Sequence, residues 1–455
     1  MTLTRYHRLY VLGAILLSAL FVCARIPGGA ASRFFLVPLA IAGGAYLIAV
    51  REFFQNQKYS RHVLFACLAI SILWRVPFLL RPAAAQDDVR RYVWDGRLQR
   101  LGYNPYTVIP ADPKFEALHT AETRGLNNPD VPSPYPAGAQ LFFRGVAAIR
   151  ESVFAFKIAF VACDLTIIFL LLAAFRRAGQ PEHWVLIYAW HPLVATEVAG
   201  SGHVDILAAL LLLISFLTLV DGRRALAAIA LGLAVSVKFL PIVLLPLYWR
   251  RVRIRDGLLA ALIVAVLYVP FLERGHIPIG SLGVFVQRFR FNGPIFGGIE
   301  QIVGAHVAAF LAVLAGLCSA AWLRIKQREC RSSAWAWPMA TSLVCAPVVY
   351  PWYLLWLIPF LRDTSITPLI VWSVTILSTY IVWHLHALGR AWHVPLWVTL
   401  FEYGPLLAAA LFGLRTSRRE RAHLSREQVQ TVRKDQNSPW ADLRIARMRS
   451  GPSQQ

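Results

Sequence analysis

The chain has 455 residues, 57% of them hydrophobic and only 15% charged, with a formal net charge of +22. So few charges cannot coat a soluble globule of this size, and the apolar residues fall in runs of ~16–25, about the length that crosses a bilayer, so a soluble protein is excluded. Nucleic acid is not the expected partner either, because Lys and Arg flank the apolar runs and crowd the C-terminal tail without forming an aromatic-interleaved basic domain.

In chain order, the first apolar run covers 9–24 behind Arg5 and Arg8. It has the outline of a signal peptide, with small residues at Gly29-Ala30-Ala31-Ser32, but an uncleaved first helix is expected. Runs at 34–50 and 63–80 follow, separated by Arg51, Lys58 and Arg61. The excess of basic residues on cytoplasmic loops then places the polar stretch from Gln86 to Gln140 on the outer side.

Further runs cover 153–175, 184–199 and 204–220. Segment 225–249 has Arg at both ends and is broken by Lys238, Pro241 and Pro246, which predicts two half-helices of ~12 residues, each ~18 Å long and too short to span. Lys238 stands near the tip of that pair. The runs at 258–271, 302–323, 335–349, 351–360, 366–383 and 395–414 continue the alternation.

The expected fold is therefore all-α and polytopic, with about 12–13 transmembrane helices, a broken half-helix pair and a large outer loop (81–140) carrying amphipathic helices. Residues 1–414 form the membrane unit; 415–455 form a basic tail expected to be disordered and cytoplasmic, like the N-terminus. Six scattered cysteines show no metal or disulfide spacing and are read as packing residues.

The chemistry-bearing positions gather on the expected outer side. Asp87-Asp88 opens a helix predicted to reach about Leu101, with Gly102 as its C-cap. Neighbouring helical side chains point ~100° apart, so one carboxylate can cap while the other faces a cavity. The alternative is an N-cap with Asp88, Arg91 and Asp95 pairing along an exposed face.

Tyr92, Trp94, Tyr103, Tyr106 and Tyr135 suit either an interfacial belt or stacking on sugar rings. Glu197, His203 and Asp205 flank a glycine-rich bend at a membrane edge, a spacing compatible with a divalent cation but not diagnostic of one; no other cofactor is indicated. Lys238 is costly to bury without an anion, and Asp164 suits a structural counter-ion. Arg274, His276, Arg288 and Arg290 add positive charge on a side that normally lacks it, which asks for an anionic ligand such as a lipid phosphate.

These residues carry a family resemblance. The sequence resembles the GT-C superfamily of integral membrane glycosyltransferases that use polyprenyl-phosphate-linked sugars, in particular bacterial polyprenol-phosphate-mannose-dependent mannosyltransferases. The resemblance rests on the acidic pair followed by Arg91-Tyr92-Val93-Trp94-Asp95-Gly96-Arg97, on Gly102-Tyr103-Asn104-Pro105-Tyr106, on Pro132-Ser133-Pro134-Tyr135-Pro136, and on Val237-Lys238-Phe239 and Tyr350-Pro351-Trp352-Tyr353.

It implies transfer of a hexose, mannose above all, with inversion, from a polyprenyl-phosphate donor to a lipid-linked or cell-envelope glycan acceptor at the outer face of the cell (inner) membrane. Asp87 matches the general base best, with Asp88 second. Lys238, Arg288 and Arg290 match donor-phosphate ligands, and Tyr92, Trp94, Tyr106, Tyr135, His203, Asp205, Trp352 and Tyr353 match substrate-binding positions. The competing classes are a transporter or flippase, which also has broken helices but shows no inverted repeat here, and a non-catalytic scaffold.

Overall fold

Among the described residues, eight apolar runs fold as helices long and apolar enough to cross a bilayer: Tyr6–Arg25, Leu36–Gln55, Arg61–Leu80, Val153–Arg177, Ile254–Phe271, Ala305–Lys326, Thr367–Ala387 and Leu396–Gly413. The computed structural model describes residues 2–55, 59–84, 87–273, 277–327, 330–362 and 364–413. Gln86, Arg274, His276 and the tail expected over 415–455 lie outside the described residues. Among the described residues there is no strand, only an isolated parallel bridge between Phe291 and Val348. The chain is an integral, multi-pass, all-α membrane protein.

The expected dozen crossings are thus eight full-length helices together with shorter apolar helices, among them Asp205–Val220, Arg224–Val237 and Pro351–Phe360. Proline accounts for much of the shortening, since it removes a backbone donor and clashes with the preceding turn. The run at 184–199 stops at Ala189, restarts at Pro192 and widens into a π-helical segment, Ala195–Ser201. The run at 351–360 is two 3-10 turns opened by Pro351 and Pro359.

The broken pair forms where it was expected: helix Arg224–Val237 ends at Lys238, whose backbone is extended, and the 3-10 segment Leu240–Tyr248 follows. Asp164, buried in Val153–Arg177, accepts from Arg75 Nε at 2.5 Å and from the Tyr188 hydroxyl at 2.9 Å, so it is the structural counter-ion anticipated for it. Buried ions persist only when paired in this way.

The large polar loop is built on helix Asp88–Arg100, and Gly102 does end it, at φ 85°. Gly96 lets this helix meet Ala137–Ile149 closely, because a Cβ there would stand 2.5 Å from the Phe143 carbonyl oxygen. The exposed charged face expected for this helix is instead buried. Arg91 Nε donates to Asp95 Oδ1 at 3.0 Å, and Asp95 Oδ2 accepts from Ser133 Oγ at 2.5 Å and from Gln140 Nε2 at 2.9 Å. Arg91 also reaches the carbonyls of Asn128 and Val131. The loop segments fold back over the helix, so its charges pair inward.

Candidate active site

Asp87 occupies the N-cap position of Asp88–Arg100, but its side chain caps nothing in that helix: Oδ2 accepts from Ala84 N at 2.7 Å. One of its carboxylate oxygens is thereby used to tighten the loop, and Asp87 lies within electrostatic reach of His203, Glu197 and Asp88. Burial pushes its pKa up to about 6; His203 and the Ala84 N–H oppose the rise, and Glu197 and Asp88 add to it.

Asp88 is held by neighbours from two other loop segments. Its Oδ1 accepts from Asn127 Nδ2, and its Oδ2 accepts from the Tyr135 hydroxyl at 3.0 Å. Tyr135 is itself fixed: its carbonyl accepts from the Tyr106 hydroxyl at 2.8 Å, and the preceding Ser133 belongs to the Asp95 network. Tyr106 therefore supports the site through Tyr135, with its own ring edge-on to Phe271.

The bend between the π-helical segment and helix Asp205–Val220 brings in the second group. Gly202 adopts φ 75°, and the N–H groups of Gly202 and His203 both donate to the Glu197 carbonyl at 3.0 Å. His203 Nδ1 then lies 2.8 Å from Glu197 Oε2. His203 Nε2 lies 4.0 Å from Asp88 Oδ2. Burial works against the imidazolium, but Glu197, Asp88 and Asp205 outweigh it and hold the His203 pKa above its ordinary value.

Lys238 is not an isolated ammonium. Its Nζ is 3.5 Å from Asp205 Oδ2 and sits over the rings of Tyr135 at 5.0 Å and Tyr353 at 5.5 Å. A stacked column closes the other wall: His203 on Trp352 at 4.0 Å between centroids, Trp352 on Tyr350 at 4.3 Å, and Tyr350 on Phe291 at 4.4 Å.

The structure thus brings together Asp88, Tyr135, His203, Asp205, Lys238, Trp352 and Tyr353, with Asp87 beside them. It puts others elsewhere. Tyr92 is wholly buried and stacked on Phe143 at 4.5 Å; it meets the cluster edge-on at Tyr135 and through its hydroxyl, which accepts from Val204 N at 3.5 Å. Trp94 is wholly buried too and stacks on His119 in a separate apolar cluster with Leu98 and Val108. Arg290 pairs with Glu300 and donates to the carbonyls of Val286, Gln287 and Phe289, apart from the cluster around Lys238. Arg288 is exposed at the end of Leu282–Arg288.

Among the described residues, no group of three or more His, Cys, Asp or Glu side chains is disposed to hold a metal ion. Glu197 is turned to His203 and Asp205 to Lys238.

Three contributors carry signals that the sequence reading did not use. Asn127 lies in the turn-forming stretch Asn127-Asn128-Pro129. Arg81 closes the apolar run before Asp87 and lies within its electrostatic reach; Gly29 makes room for its guanidinium, which a Cβ there would strike. Glu402 is a lone carboxylate in an apolar run, which is by itself a mark of function.

The family comparison defines the class, a membrane glycosyltransferase. The family model described as alpha-(1->6)-mannopyranosyltransferase, N-terminal domain, matches residues 12–252, just over half of the chain, and the chain belongs to that family. The model described as GPI transamidase subunit PIG-U matches residues 139–382.

Two crystal structures of ArnT from Cupriavidus metallidurans are similar to this chain at 15% identity. The apo state gives a TM-score of 0.44, covering 77% of this chain and 76% of that one. The state bound to undecaprenyl phosphate gives 0.43, covering 78% and 77%. No curated protein matches the sequence.

Proposed function

We propose that this protein transfers a hexose, mannose above all, from a polyprenyl-phosphate donor to a lipid-linked or envelope glycan acceptor at the outer face of the membrane, with inversion. The observation that carries the reading is a helix-opening carboxylate, Asp87, beside an aromatic-walled cluster in which the Lys238 ammonium is held by Asp205 and the rings of Tyr135 and Tyr353.

Asp87 is the general base. Its pKa of about 6 leaves it ionised at neutral pH yet basic enough to accept the acceptor's hydroxyl proton. The freed alkoxide attacks the anomeric carbon from the face opposite the phosphate, the glycosidic C–O bond breaks, and polyprenyl phosphate leaves with the electron pair. Asp88 is held by Asn127 and Tyr135 and serves as the orienting neighbour.

Lys238 receives the growing negative charge of the departing phosphate. It does so from beside Asp205, which it continues to neutralise while it holds the phosphate. His203, one of whose faces the Trp352 ring covers, presents its remaining face to the sugar, with the edges of Trp352 and Tyr353 lining the same wall.

The match to a transamidase subunit raises a second reading, a non-catalytic membrane subunit. That match begins at residue 139, past both Asp87 and Asp88, whereas the mannopyranosyltransferase match spans the acids and Lys238 alike. The enzymatic reading is favoured on that ground. It is tested with the purified chain in lipid and a panel of polyprenyl-phosphate sugars: sugar-dependent release of polyprenyl phosphate is the expected result, and none from any donor rejects it.

A further inference from the structure

Glu402 is fully buried in Leu396–Gly413, and no cation pairs with it among the described residues. Its carboxylate accepts instead from neutral donors: Asn292 Nδ2, at 3.1 Å to Oε1 and 2.9 Å to Oε2, and Trp372 Nε1 at 2.7 Å. The next residue, Tyr403, donates its hydroxyl to the Asn292 carbonyl at 3.0 Å. Packing a membrane helix needs no carboxylate, and a buried one is costly, so this clamp calls for another reason.

What it grips is the strained end of the loop. Asn292 has φ 55°, a left-handed conformation that Asn and Asp tolerate better than other side chains. Phe291, immediately before it, is bridged to segment 347–349: its N–H donates to the Pro347 carbonyl at 3.1 Å, and Val349 N donates back to its carbonyl at 2.8 Å. Phe291 is also the outer end of the column that runs through Tyr350 and Trp352 to His203. An unbroken line of contacts therefore joins Glu402 to the sugar-facing wall.

We propose that Glu402 is a positioning residue for the sugar subsite, setting the Phe291–Tyr350–Trp352–His203 column through Asn292. The inference rests on the reading of that wall given above. Glu402 touches no substrate; it holds the loop that holds the rings.

The test exchanges the two ends of the clamp. Glu402→Gln sets an amide N–H against Asn292 Nδ2, and Asn292→Asp sets two carboxylates together. The double variant Glu402→Gln/Asn292→Asp again places one carboxylate against one amide and keeps an acceptor for Trp372. Assayed in lipid with a polyprenyl-phosphate sugar, Glu402→Gln should lower kcat/KM ~10-fold and Asn292→Asp ~10²-fold, chiefly through the donor KM, with the double variant within ~3-fold of wild type. Hydrogen exchange in residues 347–356 should rise in each single variant and return in the double.

Equal losses in the double and the single variants, or losses in kcat with the donor KM unchanged, would reduce Glu402 to a stability residue. If the wild-type chain turns over no donor, the reading of the wall fails on its own, and exchange then judges the clamp: 347–356 unaltered in both single variants overturns it.

Discussion

Lys238 Nζ lies 3.5 Å from Asp205 Oδ2, and among the described residues no side chain donates a hydrogen bond to either oxygen of that buried carboxylate. The ammonium is thus the principal compensation for Asp205, and this reverses what an unpaired buried lysine would predict. Removing an isolated ammonium relieves a cost, whereas removing this one strands a carboxylate.

Lys238→Met should therefore lower the melting temperature as well as transfer, with stability falling by about 3 kcal/mol and the rate by ~10². Adding Asp205→Asn should recover the melting temperature and leave transfer low. A thermal scan and a donor-release assay on both variants check this; a Lys238→Met chain as stable as wild type means that water or a lipid already neutralises Asp205.

Asp87→Asn should cut kcat by ~10²–10⁴ with the protein folded. The base works only when ionised, so the wild-type rate should fall as pH drops through about 6, and any residual rate in the variant should lack that limb. The sign for stability is the opposite of that for a salt-bridged acid. A raised folded-state pKa means the fold favours the protonated form, a contribution complete below the unfolded carboxylate pKa and lost as pH rises through about 6. At pH 7.5 the melting temperature of Asp87→Asn should equal or exceed that of wild type. A drop would make Asp87 a loop anchor through Ala84.

Tyr135 has two functions that substitution can separate. Tyr135→Phe keeps the ring over Lys238 and deletes the hydroxyl that donates to Asp88 at 3.0 Å. The expected result is a ~10-fold loss in kcat with donor affinity retained, about the value of one hydrogen bond to a charged group. Tyr135→Leu should lose donor affinity too. Equal donor affinities in the two variants would show that the ring contributes nothing to Lys238.

The proposed orientation is open to cysteine labelling with a membrane-impermeant reagent. A cysteine replacing exposed Asp130 should react from outside intact cells, and one replacing exposed Arg253 should react only after permeabilisation. The reverse pattern inverts the topology and moves the site to the other face.

Sequence alone determined the membrane class, the long helices, the helix opened by the acidic pair, its end at Gly102 and the break at Lys238, because each depends on local chemistry. Apolar length sets a span, and Gly and Pro set where a helix stops. Only the tertiary structure decided which polar residues meet. Arg290 and Lys238 look alike in the sequence, yet one is paired to Glu300 ten residues away and the other to Asp205 on a different helix. Trp94 and Trp352 likewise look interchangeable, but one is sealed in a satellite core and the other stacks on His203. Glu402 shows the limit most clearly: its run marks it as unusual, but its partner Asn292 is 110 positions away, and no local pattern encodes a contact formed only when the last helix docks against the loop.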